Sequence, residues 1–114
     1  MNTIVENIYR IITELSNPSL QRKLWLNENN DTDLISSYVE LMCSLFDDFQ
    51  FDVFIDKTAS KAGLSRDVIL ELDKLRILLN NYNEKESDEE IINDPEWGKI
   101  MEQAQKVIEK WDKM

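Results

Sequence analysis

The apolar positions of this chain recur at three- and four-residue intervals, the period of an amphipathic helix. Ile4, Val5, Ile8, Ile11, Ile12 and Leu15 form the first such stretch and predict a helix from about Asn2 to Leu15, with Thr3 as its cap. Ser16-Asn17-Pro18 ends it. Pro18 suits the first turn of a second, short helix carrying Leu20, Leu24 and Trp25, with Asn17 or Ser16 as its cap. After the polar segment 27–31, Asp31 or Thr32 is placed to cap a longer helix reaching about Phe46. Its stripe of Leu34, Ile35, Tyr38, Leu41, Met42, Leu45 and Phe46 is broad, which marks it as the central and most buried helix.

Phe49, Phe51, Val53, Phe54 and Ile55 follow, read as a turn and a short helix that ends at Gly63, with most of the phenylalanines in the core. Ser65 is the expected cap of a helix from about Arg66 to Tyr82 that buries Val68, Ile69, Leu72, Leu75, Leu78 and Leu79. The acidic segment from Asn80 to Asp88 reads as a loop, and Glu89 to Asn93 as one extra turn. Asp94-Pro95 starts a last helix to about Trp111, with Trp97, Ile100, Met101, Ala104, Val107, Ile108 and Trp111 inward. Glu6–Arg10, Glu102–Lys106 and Glu109–Lys113 are spaced to pair along exposed faces. Short connections between such helices predict an all-α fold, a compact single-domain bundle of about five to six helices spanning 1–114.

Composition sharpens this picture. At 42% hydrophobic and 32% charged, the 114 residues suit one globular domain. The 23 acids and 13 bases leave a formal net charge of -10. Such a chain repels phosphate backbones and anionic membranes and attracts basic proteins, although acidity can also serve solubility alone. The same charge opposes the pairing of identical faces, so the free protein is expected to be a monomer. No apolar run approaches the roughly 20 residues that span a bilayer. The first residues, Met1 to Glu6, lack the basic and apolar regions of a signal peptide. With the single Cys43, which rules out an internal disulfide, this predicts a cytoplasmic protein.

The residue inventory also limits the chemistry. There is no histidine, so histidine-based triads, metal sites and general bases are absent. Cys43 has no basic neighbour in sequence and reads as a structural cysteine. Asn29, Asp31, Asp33 and Glu40 fall at calcium-loop offsets, but Leu34 stands where the sharp turn needs glycine. The expectation is a chain that is not an enzyme and holds no cofactor or metal.

What remains is an acidic face. Between Lys23 and Lys57 there is no base, and on a helix of 3.6-residue period Asp33, Ser37, Glu40, Ser44 and Asp47 would form one stripe pairing acids only with serines. Asp48, Asp52 and Asp56 would extend it. Asp33, Glu40, Asp47, Asp48, Asp52 and Asp56 are therefore the candidate partner-binding residues. The competing reading is that bases from other helices fold over this face and neutralise it. A second cluster, Glu84, Glu86, Asp88, Glu89, Glu90, Asp94 and Glu96, lies in the expected loop and is the weaker candidate.

Three strings, Leu15-Ser16-Asn17-Pro18 with Gln21-Arg22-Lys23-Leu24-Trp25, then Leu45-Phe46-Asp47-Asp48, then Asn93-Asp94-Pro95-Glu96-Trp97, resemble a family of small helical bacterial immunity proteins, including those of contact-dependent growth inhibition. The resemblance implies a chain that binds and neutralises the toxin domain of a sibling cell. Many such toxins are nucleases, including ones that cut transfer RNA, and a nuclease must present a basic surface to phosphates. No inhibitory residue carries over, because each member matches its own toxin. Within the resembling strings, Trp25 reads as core, and Arg22 as a structural residue pairing with a carboxylate near Asp47. An acidic cytoplasmic adaptor or regulatory module unrelated to toxins is the second function class left open.

Overall fold

Most helices of this chain begin where a short polar side chain accepts an otherwise free backbone N–H. The computed structural model describes residues 3–114. In it α1 spans Thr3–Leu15 and α2 spans Pro18–Trp25, the latter capped by Asn17 accepting from the Leu20 N–H. Thr3 is already helical, and the expected start at Asn2 lies outside the described residues. α3 runs as Tyr38–Cys43 and continues through a wider π-helical turn, Ser44–Asp48. α4 is composite: Phe51–Val53, a second π turn at Phe54–Thr58, and Ala59–Lys61. α5 (Arg66–Asn81), α6 (Asp88–Ile92) and α7 (Pro95–Asp112) are capped by Ser65, Ser87 and Asp94. No strand occurs among the described residues, and the fold is all-α, with seven helical rods against the five to six expected.

Gly63 ends α4 as anticipated. It adopts φ +92°, the Leu64 N–H reaches the Ala59 carbonyl (3.1 Å), and the Gly63 N–H reaches that of Ser60 (3.1 Å). Those two bonds satisfy carbonyls that the helix end would leave open. Among the expected surface pairs, Glu109–Lys113 is in contact at 3.2 Å. Glu6–Arg10 and Glu102–Lys106 do not form ion pairs, a small loss for exposed side chains.

The expected helix from 32 to 46 is the main departure. Helix begins only at Tyr38, with Ser37 as its cap, because upstream polar groups are committed elsewhere. The Leu34 carbonyl accepts from Asn30 Nδ2 (2.8 Å), the Tyr38 N–H donates to Asp88 Oδ1 (3.3 Å), and the Ser36 N–H donates to the Leu24 carbonyl (3.0 Å). Helix through this segment would need those same groups. Leu34 and Ile35 are consequently not core residues; they are 66% and 73% exposed.

Nor is α3 the central helix. α7 holds that position, packed along α5 on one side and α1 on the other. Trp97, Ile100, Ala104 and Val107 of α7 meet Val68, Leu72, Leu75 and Leu79 of α5 and Ile8, Ile12 and Leu15 of α1 in one continuous core. Phe51 and Phe54 are buried in it and Phe49 packs against it. Cys43, expected to be structural, is exposed.

Two polar features are buried with the apolar ones. Gln21 has no exposed surface and every side-chain group satisfied. Its Nε2 donates to the carbonyls of Glu14 (2.9 Å) and Leu15 (3.0 Å) at the end of α1, and its Oε1 accepts from Trp97 Nε1 (3.0 Å). Beside it, the rings of Trp25, Tyr38, Tyr82 and Trp97 stack edge-on or tilted at centroid distances of 5.2 to 6.5 Å. The Tyr82 hydroxyl donates to Asp94 Oδ2 at 2.8 Å. Burial, with that bond, pushes the Tyr82 phenol well above its ordinary range, and the bond holds the Asp94 carboxyl below the usual carboxylate range.

Gln21→Leu should lower unfolding stability by about 2 kcal/mol, because it strands the Leu15 carbonyl and an indole N–H in the interior, while the Glu14 carbonyl keeps the Asn17 N–H. A urea midpoint equal to that of the parent protein would contradict this. The shifts of Asp94 and Tyr82 also carry signs. A lowered carboxyl stabilises the fold above its unfolded pKa, and that contribution is lost as pH falls through the folded value. A raised phenol stabilises below its unfolded pKa and loses the contribution as pH rises beyond it. Their joint contribution should therefore fade on both sides of a window of roughly pH 4 to 10. Tyr82→Phe should make the alkaline fall in melting temperature shallower than in the parent.

Candidate functional site

The six acids singled out by sequence divide into two groups once the chain is folded. Asp52 and Asp56 lie one turn apart on α4 and face α5, where Arg76 reaches across to both. Arg76 Nη1 is 3.4 Å from Asp52 Oδ1 and 3.0 Å from Asp56 Oδ1, and the guanidinium also grips Asp73 on its own helix. Three carboxylates thus share one largely buried cation, which fastens α4 to α5. A base from another helix meets this part of the face, but one guanidinium among three carboxylates leaves the cluster net negative, and Asp52 and Asp56 stay 59% and 56% exposed.

Asp33, Glu40, Asp47 and Asp48 remain exposed and form no ion pair among the described residues. They do not share the helical stripe drawn from the sequence. Asp33 sits in the loop before α3, Ser37 is the helix cap, and the π turn at Ser44–Asp48 alters the register beyond Cys43. Glu40 occupies the first turn, where Ser37 Oγ accepts its backbone N–H (3.0 Å) and the helix dipole favours an acid. Glu40 borders a hollow of about 320 Å³ between α1, α3 and the preceding loop, Asp48 borders another of about 310 Å³, and Phe49 lines both.

In segment 84–96 the acids divide: Asp88, Asp94 and Glu96 have partners, whereas Glu84, Glu86, Glu89 and Glu90 are exposed and form no ion pair among the described residues. Asp88 receives the Tyr38 N–H, Asp94 caps α7 and holds Tyr82, Lys85 lies 3.9 Å from Asp94, and Lys99 pairs with Glu96 at 3.2 Å. Arg22 does not approach Asp47. It donates to Asn93 Oδ1 (2.8 Å) and contacts Glu28 (3.5 Å), tying α2 to the turn after α6. Sequence reasoning missed Gln21, whose amide is a polar group in an otherwise apolar face of α2. It also missed Glu14, whose Oε2 accepts from Trp25 Nε1 (2.9 Å) and Ser36 Oγ (3.0 Å).

Among the described residues, no group of three or more acidic or cysteine side chains is arranged to hold a metal, and no helix is long and apolar enough to cross a membrane. Glu40 and Asp48 thus place exposed negative charge beside hollows of mixed polar and apolar lining. No protein-family model, curated protein or solved structure matches this chain.

Arg76→Ala should leave three carboxylates facing one another and loosen α4 from α5. We expect a loss of about 1 to 2 kcal/mol, smaller at high salt because the residual repulsion is screened. Equal denaturation midpoints for parent and variant at low salt would show that the clamp contributes nothing.

Proposed function

We propose that this chain is an immunity protein of the cytoplasm, which binds and neutralises a toxin domain with a basic, nucleic-acid-binding surface, such as a transfer-RNA nuclease delivered by contact-dependent growth inhibition. The observation that carries the reading is that Asp33, Glu40, Asp47 and Asp48, all within sixteen residues of the chain, are exposed and form no ion pair among the described residues, a state they share with Glu84, Glu86, Glu89 and Glu90. Ordinary helix surfaces mix signs, as Glu109–Lys113 does here. Acids left uncompensated repel one another and gain only when a basic surface arrives. An acidic surface of this kind substitutes for the phosphates a nuclease is built to bind. The chain acts by occupying that surface, as a monomer when free, and performs no catalysis itself.

The test is retention of proteins from the native cell on the immobilised chain at low salt, followed by expression of each retained protein alone. One stoichiometric basic partner, lethal alone and harmless with this chain, is expected. The combined variant D33N/E40Q/D47N/D48N should bind that partner at least about tenfold more weakly, chiefly through slower association, and should flatten its salt dependence. A retained protein that is harmless alone would favour the adaptor class instead, and unchanged association by the fourfold variant would remove the proposed face.

A further inference from the structure

Leu34 and Ile35 are the most exposed large apolar side chains among the described residues, at 66% and 73%, and Val39, on the first turn of α3, is 54% exposed. Adjacent apolar residues held in water cost free energy that burial would recover. This loop is nevertheless braced at both ends. Before the tip, Asn30 Oδ1 accepts from the Thr32 N–H (3.0 Å) and hydroxyl (2.6 Å), and Thr32 Oγ1 accepts from the Leu34 N–H (3.1 Å). After it, Ser36 donates its N–H to the Leu24 carbonyl and its hydroxyl to Glu14, the carboxylate that also holds Trp25. The apolar pair is therefore presented on a pre-formed support that has little ordering entropy left to lose on docking.

From this we infer that Leu34, Ile35 and Val39 are the apolar anchor of the docking face, seated in an apolar pocket rimmed by lysine or arginine on the basic partner; the inference rests on the function proposed above. Charge selects this occupant. Asp33 directly precedes Leu34, Glu40 directly follows Val39, and neither has an ion-pair partner among the described residues. The bases nearest in sequence are used up, Lys23 by Asp31 (3.2 Å) and Arg22 by Glu28 (3.5 Å). Arg10 of α1 also lines the hollow that Leu34, Ile35 and Glu40 share, but forms no ion pair with Glu40. A second copy of this chain, or an anionic membrane, would bring like charge against the acids beside the tip. The two kinds of residue then divide the work: the acids set the rate of encounter, and the anchor sets the lifetime of the complex.

The probe is the purified basic protein recovered on the immobilised chain, and the variant is L34S/I35S, whose positions are too exposed to disturb the core. Dissociation should accelerate at least about thirty-fold, with association rate and salt dependence within about twofold of the parent. Circular dichroism checks that the variant is folded, and V39S, on a different element, should shift dissociation in the same direction. Hydrogen exchange on the free parent should show the Leu34 and Ser36 amides protected; free exchange there would overturn the pre-formed support. If dissociation is unchanged while D33N/E40Q/D47N/D48N still slows association, the anchor is wrong and the immunity reading stands. Concentration-dependent dimerisation of the parent, abolished by L34S/I35S, would assign the tip to a second copy and overturn the inference. Recovery of no basic protein at all would overturn both readings.

Discussion

A single buried amide holds three helices of this protein in register. Gln21 has no contact with water, so its carboxamide must find partners inside, and it finds three: two carbonyls at the end of α1 and the indole of Trp97 on α7. Both carbonyls lie in the last turn of α1, where intrahelical donors run out; the Glu14 carbonyl also receives the Asn17 N–H (3.3 Å), whereas Gln21 is the donor to the Leu15 carbonyl. The indole belongs to the largest fully buried side chain in the core. Each partner would be costly to leave unmade, so α2 has one position in which it can lie across the other two helices.

Much of the remaining architecture follows from where α2 is held. Trp25, one turn beyond Gln21, enters the aromatic cluster and donates to Glu14, which in turn accepts from Ser36. Arg22 reaches Asn93 and ties α2 to the turn before α7. The same few contacts that close the core therefore also fix the course of the loop between α2 and α3. That loop carries the apolar tip and Asp33, so the rigidity of the proposed docking face derives from the packing behind it.

Charge is distributed by the same logic. Where acids meet another helix they are paired or given work: Asp52, Asp56 and Asp73 share Arg76, Asp88 receives a backbone N–H, and Asp94 caps a helix while holding Tyr82. Where no helix packs against them, as at Asp33, Glu40, Asp47 and Asp48, they stay exposed and unpaired among the described residues. The face we propose for a basic partner is thus drawn from the acidic excess that the fold leaves unpaired, part of which also lies at Glu84, Glu86, Glu89 and Glu90. It adjoins apolar surface, Leu34 and Ile35, that the linear pattern assigns to the core.

The local rules of capping and periodicity determined most of the helices from sequence alone. Asn17-Pro18, Ser65, Gly63 and Asp94-Pro95 mark boundaries whose causes lie within a few residues, and the buried stripes of α1, α5 and α7 repeat at helical spacing. The segment 31–37 was misread because its periodicity was genuine but its hydrogen-bonding groups were claimed by Leu24, Asn30 and Asp88, partners up to 50 residues away. The pairing of Asp52 and Asp56 with Arg76 is hidden for the same reason, since Arg76 is 20 or more residues distant. Spacing reports which residues share a face of one element. Which faces meet, which charges are cancelled and which apolar side chains are left in water depend on contacts between elements, and those only the tertiary structure decided.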